Sequence, residues 1–199
     1  EPTTPEERDN YLRSARTHTV RLGTHIGDLI QLSNLDSASV TPHLETFSLP
    51  EHVQDIAQEF QLESERKDIR LSIDTSSDAA YTIGDIGLIQ RVLENLVRNA
   101  IKFTPAGGEV TISIAERPEA LRVAVADNGP GIPDDDIPRI FDRFYRSVNG
   151  EEARSDSSGL GLAIVKRILD LHGSRITVES KVNAGTRFEF ELPLCEQAA

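Results

Sequence analysis

Methionine and tryptophan are absent from the 199 residues, and only one cysteine is present. A chain without methionine has no initiator of its own, so we expect a fragment excised from a longer protein; a processed chain is the alternative. The single cysteine, Cys195, has no partner for an internal disulfide, which is typical of a reducing compartment. No apolar run approaches the length of a membrane span, and no signal peptide opens the sequence. We therefore expect a cytoplasmic domain, and leave open whether an upstream segment anchors the full-length protein in the inner membrane.

Positive charge is also scarce. The sequence has 21 Lys and Arg residues against 33 Asp and Glu residues, which gives a formal net charge of −12. Nucleic acids and anionic membranes bind basic protein faces, so neither partner is expected. The hydrophobic content of 38% and charged content of 27% are ordinary for a soluble globular chain. The length allows one well-buried domain with an appendage, or two small domains.

The first segment is predicted to be one long helix that ends near Asp36. Apolar and small residues recur along it at spacings of three and four: Leu12, Ala15, Thr19, Leu22, Ile26 and Leu29. Such a heptad seam predicts a partner helix; an amphipathic helix lying on its own domain is the alternative. Because Ser37, Ser39 and Pro42 form a linker-like stretch, we divide the chain into residues 1–40 and 41–199.

The second part alternates predicted helices and strands. Ser48 and Glu51 form a capping box that opens one helix, and apolar periodicity predicts two further helices over 85–101 and 160–171. Strands are predicted over 44–47, 70–73, 81–83, 110–114, 121–126, 175–179 and 186–192. Since the strands pair largely as hairpins, the predicted class is α+β, with helices on one face of a mixed sheet.

A carboxylate followed by glycines marks the end of one predicted strand. Asp127 precedes Gly129 and Gly131, and glycine allows the backbone to approach a flat ligand closely. A carboxylate at this place can accept a hydrogen bond from an exocyclic amine such as that of adenine, worth roughly 1.5–3 kcal/mol. Taken alone, the same five residues also describe an ordinary turn.

Two amides lie one turn apart on the predicted helix over 85–101. Asn95 and Asn99 share a face that is otherwise packed by Leu and Val, and buried amides are costly unless they are bonded. An amide oxygen suits Mg²⁺, which prefers few protein ligands together with substrate phosphates. Lys102 lies on nearly the same face and can reach a phosphate. A pair of satisfied helix amides is the alternative.

Gly159 and Gly161 open the predicted helix over 160–171, where backbone N–H groups and the helix dipole suit a phosphate. A Rossmann fingerprint is excluded because Ile164 stands where its third glycine would be, and no Walker A sequence occurs anywhere. A plain glycine-rich helix start is the alternative. The charged, serine-rich segment 134–158 precedes this point, and a loop of this length predicts a lid over a ligand.

The order of these motifs resembles that of one family. The sequences Asn-x-x-x-Asn-Ala-x-Lys from Asn95, Asp-x-Gly-x-Gly from Asp127, Phe-Asp-Arg-Phe-Tyr-Arg from Phe141 and Gly-Leu-Gly-Leu from Gly159 resemble the N, G1, F and G2 boxes of bacterial sensor histidine kinases. The stretch 183–186 resembles their final Gly-Thr element. The resemblance covers residues 44–194, and residues 4–36 resemble the second helix of the dimerisation and phosphoacceptor hairpin.

The resemblance implies a Bergerat ATP-binding sandwich that takes ATP and Mg²⁺. It implies that Asp127 binds the adenine amine with support from Thr186, and that Asn99 holds Mg²⁺ with Asn95 beside it. It also implies that Lys102 and Arg146 contact the phosphates, and Arg143 is expected near them. Asn99, Lys102 and Arg146 are the implied catalytic residues. The other residues implied to line the nucleotide site are Gly129, Gly131, Ile132, Phe144, Gly159, Leu160, Gly161 and Leu162.

The phosphoacceptor motif of the family is missing, and Ser157 stands where many members have glycine. None of the five histidines fits the motif, and all are interpreted as surface or packing residues: His18, His25, His43, His52 and His172. We therefore expect the acceptor histidine on a helix upstream of this chain. The implied reaction is phosphoryl transfer from ATP to that histidine, followed by relay to an aspartate of a response regulator, in a full-length homodimer.

Two rival functions remain open. One is a Bergerat ATPase that uses hydrolysis to drive conformational change, although Asn95 stands where such ATPases carry a glutamate that activates water. The other is a nucleotide-sensing module without catalysis, which the cationic residues Lys102, Arg143 and Arg146 argue against.

Overall fold

The computed structural model describes residues 4–37, 40–76, 80–146 and 158–195. In chain order the helices and strands are α1 (Pro5–Asp36), β1 (Glu45–Ser48), α2 (Leu49–Arg66), β2 (Arg70–Thr75), β3 (Tyr81–Gly84), α3 (Ile86–Phe103), β4 (Glu109–Glu116), β5 (Ala120–Asp127), α4 (Gly161–Leu171), β6 (Thr177–Lys181) and β7 (Gly185–Cys195). A short 3₁₀ helix spans Ile137–Arg139.

The strands form one sheet of seven, in the order β1-β3-β7-β5-β4-β2, with β6 also paired to β7. Among the described strands only β2 and β4 pair in parallel, and the remaining pairs are antiparallel. Strand β7 pairs with β5 along one edge, while its other edge pairs first with β6 and then, at Leu194 and Cys195, with β3. The last strand in sequence therefore lies in the middle of the sheet.

Alternate residues of the central strands supply the core. The buried positions are Val110, Ile112, Ile114, Leu121, Val123, Val125, Phe188, Phe190 and Leu192. Helices α2 and α3 pack on the sheet, and α4 packs against α3. Some of the intervening positions of β5 and β7 carry charged residues. Arg122 of β5 lies between two β7 residues, Glu189 at 3.4 Å and Glu191 at 3.1 Å. The structure confirms the α+β class, with a mixed sheet and a long N-terminal helix.

The start of α3 is fixed by Asp85, which caps the helix by accepting the N–H of Leu88 at 3.1 Å. The other carboxylate oxygen accepts the N–H of His43 at 2.9 Å. The N–H of Asp85 donates to Nε2 of His172 at 3.0 Å, and Nδ1 of the same ring lies 2.8 Å from the carbonyl oxygen of Ile168. One aspartate therefore joins the start of α3 to the end of α4.

The two ends of α1 differ in their surroundings. Over most of its length the predicted seam is open to solvent, with exposed fractions of 62% at Leu12, 59% at Leu22 and 50% at Leu29. Near its end Leu32 and Leu35 are buried, and α1 packs against α4. The end of α1 therefore lies on its own domain, while a partner helix for the exposed part of the seam stays a prediction. No helix in the described ranges is long and apolar enough to cross a membrane.

Candidate nucleotide-binding site

Asp127 is the last residue of β5, and its carboxylate is half-buried. Burial raises the pKa of this carboxyl above its ordinary value, while hydrogen bonds from the backbone N–H groups of Gly129 and Thr186 partly oppose that rise. The Gly129 N–H donates to Oδ1 at 2.9 Å. A carboxylate held by two backbone donors at a strand end has a fixed direction, as recognition of an amine requires.

The glycines around Asp127 are required by the close approach of backbone. Gly185 has φ +93°, and a Cβ placed there would lie 1.9 Å from the carbonyl oxygen of Asp127. Gly131 has φ +72°, and its Cβ would lie 2.1 Å from the carbonyl oxygen of Lys181. At Gly129 a Cβ would meet Oδ1 of Asp127 at 2.8 Å. Gly131 and Gly185 therefore pack backbone on backbone, Gly129 lies against the Asp127 carboxylate, and none of the three positions has room for a side chain.

The two amides of α3 have different surroundings. Asn95 donates from Nδ2 to the carbonyl oxygen of Arg91 at 2.8 Å, and its Oδ1 would lie 2.9 Å from a Cβ placed on Gly161. Asn99 is half-buried, and its side-chain amide has no hydrogen-bond partner among the described residues. Asn95 therefore faces the N-terminus of α4, while the Asn99 amide is left available for a ligand.

Glu94 is turned away from this face. Its Oε1 accepts from Nε2 of Gln90 at 2.8 Å, and its Oε2 lies 3.3 Å from Nη1 of Arg91. Both carboxylate oxygens are thus engaged with the preceding turn of the same helix. A carboxylate held in this way is not directed at the Asn95 side, where Gly161 lies.

The end of α3 carries Lys102, whose Nζ is shielded from solvent and lies 5.4 Å from the ring centroid of Phe103. The Lys67 ammonium group donates to the carbonyl oxygens of Ile101, at 2.9 Å, and Lys102, at 3.1 Å. A cation at a helix C-terminus satisfies carbonyl groups that have no partner within the helix. Lys67 therefore fixes the position from which the Lys102 side chain extends.

The N-terminus of α4 begins at Gly161 without a side-chain cap, and Leu160 precedes it as the N-cap residue. The Leu160 side chain is buried in the core, and that of Leu162 packs against the core. The Leu160 N–H donates to the Ser158 hydroxyl at 3.2 Å, so the N–H groups that follow it in the first turn of α4 are the ones left to face a ligand. Free N–H groups at the start of a helix of this length favour an anion.

The first part of the predicted lid, residues 134–146, is anchored at several points. Ile140 is buried, and the ring of Phe141 packs edge-on against Phe188 with centroids 6.3 Å apart. Phe144 has φ +61° and a largely exposed side chain, and its N–H donates to the carbonyl oxygen of Gly159 at 2.9 Å. Residues 147–157, which include Gly150 and Ser157, lie outside the described residues. Arg146 is exposed at the last described position before them.

Arg143 contacts the N-terminal helix, and its expected place near the phosphates stays a prediction. Its Nη2 donates to Oδ2 of Asp36 at the end of α1, at 2.6 Å. On the same face of α1, Asp28 accepts from the hydroxyl of Ser158 at 2.8 Å. The residues flanking 147–157 on both sides therefore contact the N-terminal helix. Sequence patterns gave no signal for these contacts, because Asp28 and Asp36 resemble any solvated helix carboxylates.

Ser180 is a further residue that the sequence patterns did not indicate. Its hydroxyl accepts from the N–H of Ile132 at 2.8 Å and lies 3.0 Å from Oγ1 of Thr186. No group of three or more His, Cys, Asp and Glu residues that could hold a metal ion occurs in the described part of the chain. A magnesium ion here would be held by the Asn99 amide and by phosphate oxygens, a donor set of the kind this ion accepts.

Comparison with known proteins agrees with this geometry. The family model for histidine kinase-, DNA gyrase B-, and HSP90-like ATPases matches residues 84–196. The adaptive-response sensory kinase SasA of Rippkaea orientalis is 34% identical over 195 residues, which cover 95% of this chain and 49% of SasA. The sensor histidine kinase WalK of Bacillus subtilis is 33% identical over 189 residues, which cover 94% of this chain and 31% of WalK.

Among solved structures, full-length ShkA in complex with AMPPNP is similar with a TM-score of 0.82 at 28% identity, covering 100% of this chain and 41% of ShkA. Histidine kinase ThkA in complex with the response regulator protein TrrA gives a TM-score of 0.79 at 27% identity, covering 98% of this chain and 53% of the other. The chain spans about half or less of the length of SasA and WalK. It belongs to the histidine kinase-, DNA gyrase B- and HSP90-like ATPase family, as an ATP-binding catalytic domain of the sensor histidine kinase type with the Bergerat fold.

Proposed function

We propose that this chain binds Mg-ATP and transfers the γ-phosphate to a histidine on a helix upstream of residue 1, for relay to an aspartate of a response regulator. The observation that carries the proposal is the half-buried Asp127 carboxylate, held by Gly129 N–H at 2.9 Å at the end of β5. A desolvated, oriented acceptor distinguishes adenine, which has an exocyclic amine, from bases that lack one at that position.

The remaining residues of the site would bind the phosphates. The N–H groups at the start of α4 would donate to the phosphate oxygens, and Lys102 from α3 and Arg146 would add positive charge. The Asn99 amide oxygen would bind magnesium, which neutralises charge on the phosphates when bound. Phosphoryl transfer needs little covalent chemistry from the protein, so positioning and charge neutralisation would supply most of the rate.

The open seam on α1 supports the proposed partners. Large apolar side chains exposed at 62% (Leu12) and 59% (Leu22) are suited to a helix of the acceptor hairpin or of a second subunit. We propose residues 1–40 as the second helix of that hairpin with its linker, residues 41–199 as the catalytic domain, and the full-length protein as a homodimer. ThkA, a structural neighbour, is a histidine kinase in complex with a response regulator, which supports a regulator as the final acceptor. We place the domain in the bacterial cytoplasm, where such a regulator would be met.

Calorimetry on the 199-residue chain tests the adenine assignment. Asp127→Ala should remove most of the affinity for Mg-ATP, because the base loses its charged acceptor. Asp170→Ala, which removes an exposed carboxylate from α4, is the matched control and should bind as the unsubstituted chain does. Unchanged affinity in Asp127→Ala would mean that the adenine lies elsewhere.

Transfer is tested with labelled ATP and an acceptor hairpin supplied as a separate protein. The chain alone should form no acid-labile phosphate, because none of its five histidines stands in an acceptor motif. With the hairpin present, label should appear on the hairpin histidine. Stable histidine phosphate on the chain itself, located by mass spectrometry, would contradict the proposed site of transfer.

A further inference from the structure

The turn between β6 and β7 holds the loop that follows Asp127. The Asn183 N–H donates to the carbonyl oxygen of Pro130 at 2.7 Å, with Asn183 in the left-handed region at φ +63°. Gly131 packs so closely on this turn that a Cβ would lie 2.1 Å from the Lys181 carbonyl oxygen. The loop over 129–132 is therefore positioned by strands β6 and β7, although it belongs to neither.

One side chain joins the loop to both strands. The Ile132 N–H donates to Oγ of Ser180 at 2.8 Å. The Ser180 hydroxyl donates to the Gly185 carbonyl oxygen at 2.9 Å and lies 3.0 Å from Oγ1 of Thr186. Ser180 is half-buried and directly opposite Thr186 in the β6–β7 register. Its hydroxyl is thus surrounded by three polar groups of the adenine end of the site.

A serine hydroxyl has one proton and two lone pairs, which decides the direction of each bond. The Gly185 carbonyl can only accept, so the Ser180 proton goes to it. The lone pairs then accept from the Ile132 N–H and from the Thr186 hydroxyl. Because the Thr186 hydroxyl donates its proton to Ser180, the Thr186 oxygen can only accept further hydrogen bonds. All hydrogen-bonding capacity of Ser180 is satisfied by protein.

We propose that Ser180 is a positioning residue for recognition of the adenine amine. It does not touch the base. It fixes the loop that supplies the Gly129 N–H to Asp127, and it sets the hydroxyl of Thr186, whose backbone pairs with Asp127. Without the Ser180 hydroxyl, the Ile132 N–H loses its acceptor and the loop is free to shift relative to Asp127. This inference rests on the proposed function, in which Asp127 binds that amine.

The experiment compares the affinities of the 199-residue chain for ATP and for purine riboside triphosphate, which lacks only the exocyclic amine. The unsubstituted chain should favour ATP. Ser180→Ala should weaken ATP binding by about tenfold, the scale of one positioning hydrogen bond, and bind the analogue almost unchanged. Loss of folded protein would weaken both ligands alike, so the ratio of the two affinities reports positioning alone.

Ser174→Ala is the matched control, since Ser174 also donates from its hydroxyl to a strand carbonyl, that of Glu191 at 2.6 Å, away from the loop. It should keep the preference for ATP. Ser180→Thr retains the hydroxyl and should restore the preference. If Ser180→Ala does not fold, Ser180→Cys, similar in size but a weak hydrogen-bonding group, should show the same loss.

Full preference for ATP in the folded Ser180→Ala or Ser180→Cys variant would overturn the role of Ser180 while leaving the proposed function intact. Equal binding of ATP and the analogue by the unsubstituted chain would instead refute the adenine contact at Asp127, on which the inference depends.

Discussion

Arg143 Nη2 and Asp36 Oδ2 lie 2.6 Å apart, so a residue in the first part of the predicted lid is bonded to the last turn of the N-terminal helix. Arg167 of α4 adds to this contact, with its Nε 3.6 Å from the other carboxylate oxygen of Asp36 and 2.9 Å from the Leu35 carbonyl oxygen. The end of α1 is therefore attached to the catalytic domain by charge as well as by the buried Leu32 and Leu35.

Asp36→Asn should weaken this attachment without unfolding the domain. The ion pair is partly exposed, with side-chain exposures of 55% and 33% for Arg143 and Asp36, so the expected loss is about 0.2–1 kcal/mol. Hydrogen exchange should show lower protection at the end of α1, and high salt should produce the same effect in the unsubstituted chain. Asp9→Asn, at the far end of α1, is the control. Equal protection in all three proteins at low salt would show that the leucines alone hold the helix.

Asp127 should make the nucleotide-free domain less stable as the pH rises. Burial raises its pKa in the folded chain, so ionisation is harder there than in the unfolded chain. Its contribution is fully favourable below the unfolded pKa and is lost as the pH rises through the folded pKa. Asp127→Asn keeps an acceptor for the Gly129 N–H but cannot ionise. Urea denaturation at a series of pH values should therefore show the unfolding free energy of Asp127→Asn increasing relative to that of the unsubstituted chain between acidic and neutral pH. A difference in unfolding free energy that stays constant with pH would contradict the assignment of burial as the cause.

Substituting two glycines should distinguish the cost of a strained backbone from the cost of a steric clash. Gly107 and Gly185 both have positive φ, +79° and +93°, but a Cβ on Gly107 meets nothing within 4 Å, while one on Gly185 lies 1.9 Å from the Asp127 carbonyl oxygen. Gly107→Ala should lose about 1–2 kcal/mol from the left-handed backbone alone. Gly185→Ala should lose more and should also weaken ATP binding by displacing Asp127. Similar unfolding free energies for the two variants would mean that β7 moves aside at no cost.

Hydrolysis of ATP without an acceptor should be very slow. Both carboxylate oxygens of Glu94 are bonded to Gln90 and Arg91, and the neighbouring position facing Gly161 is Asn95, whose amide cannot serve as a general base. A general base raises a reaction rate by about 10²- to 10⁴-fold. If Glu94 were such a base, Glu94→Gln would lower the rate of ATP hydrolysis by that factor. We expect steady-state turnover to be low in both proteins. Robust turnover that disappears in Glu94→Gln would favour the rival ATPase function.

The periodic elements could be predicted because local chemistry decides them. Ser48 caps α2 by accepting the N–H of Glu51, at 3.4 Å, as its capping box predicts, and α3 follows its apolar pattern. The strand predicted over 175–179 is found two residues later, at Thr177–Lys181. Its register comes from the hairpin that pairs Lys181 with Gly185, and sequence alternation alone does not contain that pairing.

The contacts between distant segments could not be predicted. The motif around Arg143 favours a place near phosphate, yet the direction of this side chain depends on where α1 lies, and that is a tertiary property. Ser180 lies in a strand whose sequence suggests an exposed position. Nothing in the neighbouring residues indicates that its hydroxyl accepts from the N–H of Ile132, 48 residues earlier. The residue types of the site are visible in the sequence; the groups that position them are not.

The central place of β7 has a consequence for the order of folding. Strand β5 pairs with β7 from Ala120 to Asp127, and within the described residues β3 joins β7 through Leu194 and Cys195 alone. During synthesis one edge of β5 therefore stays unpaired until β7 has left the ribosome. Such long-range pairing slows folding and exposes a strand edge to other chains. A chain cut after Lys181 should aggregate rather than fold, even though it contains Asp127, Asn99 and Gly161.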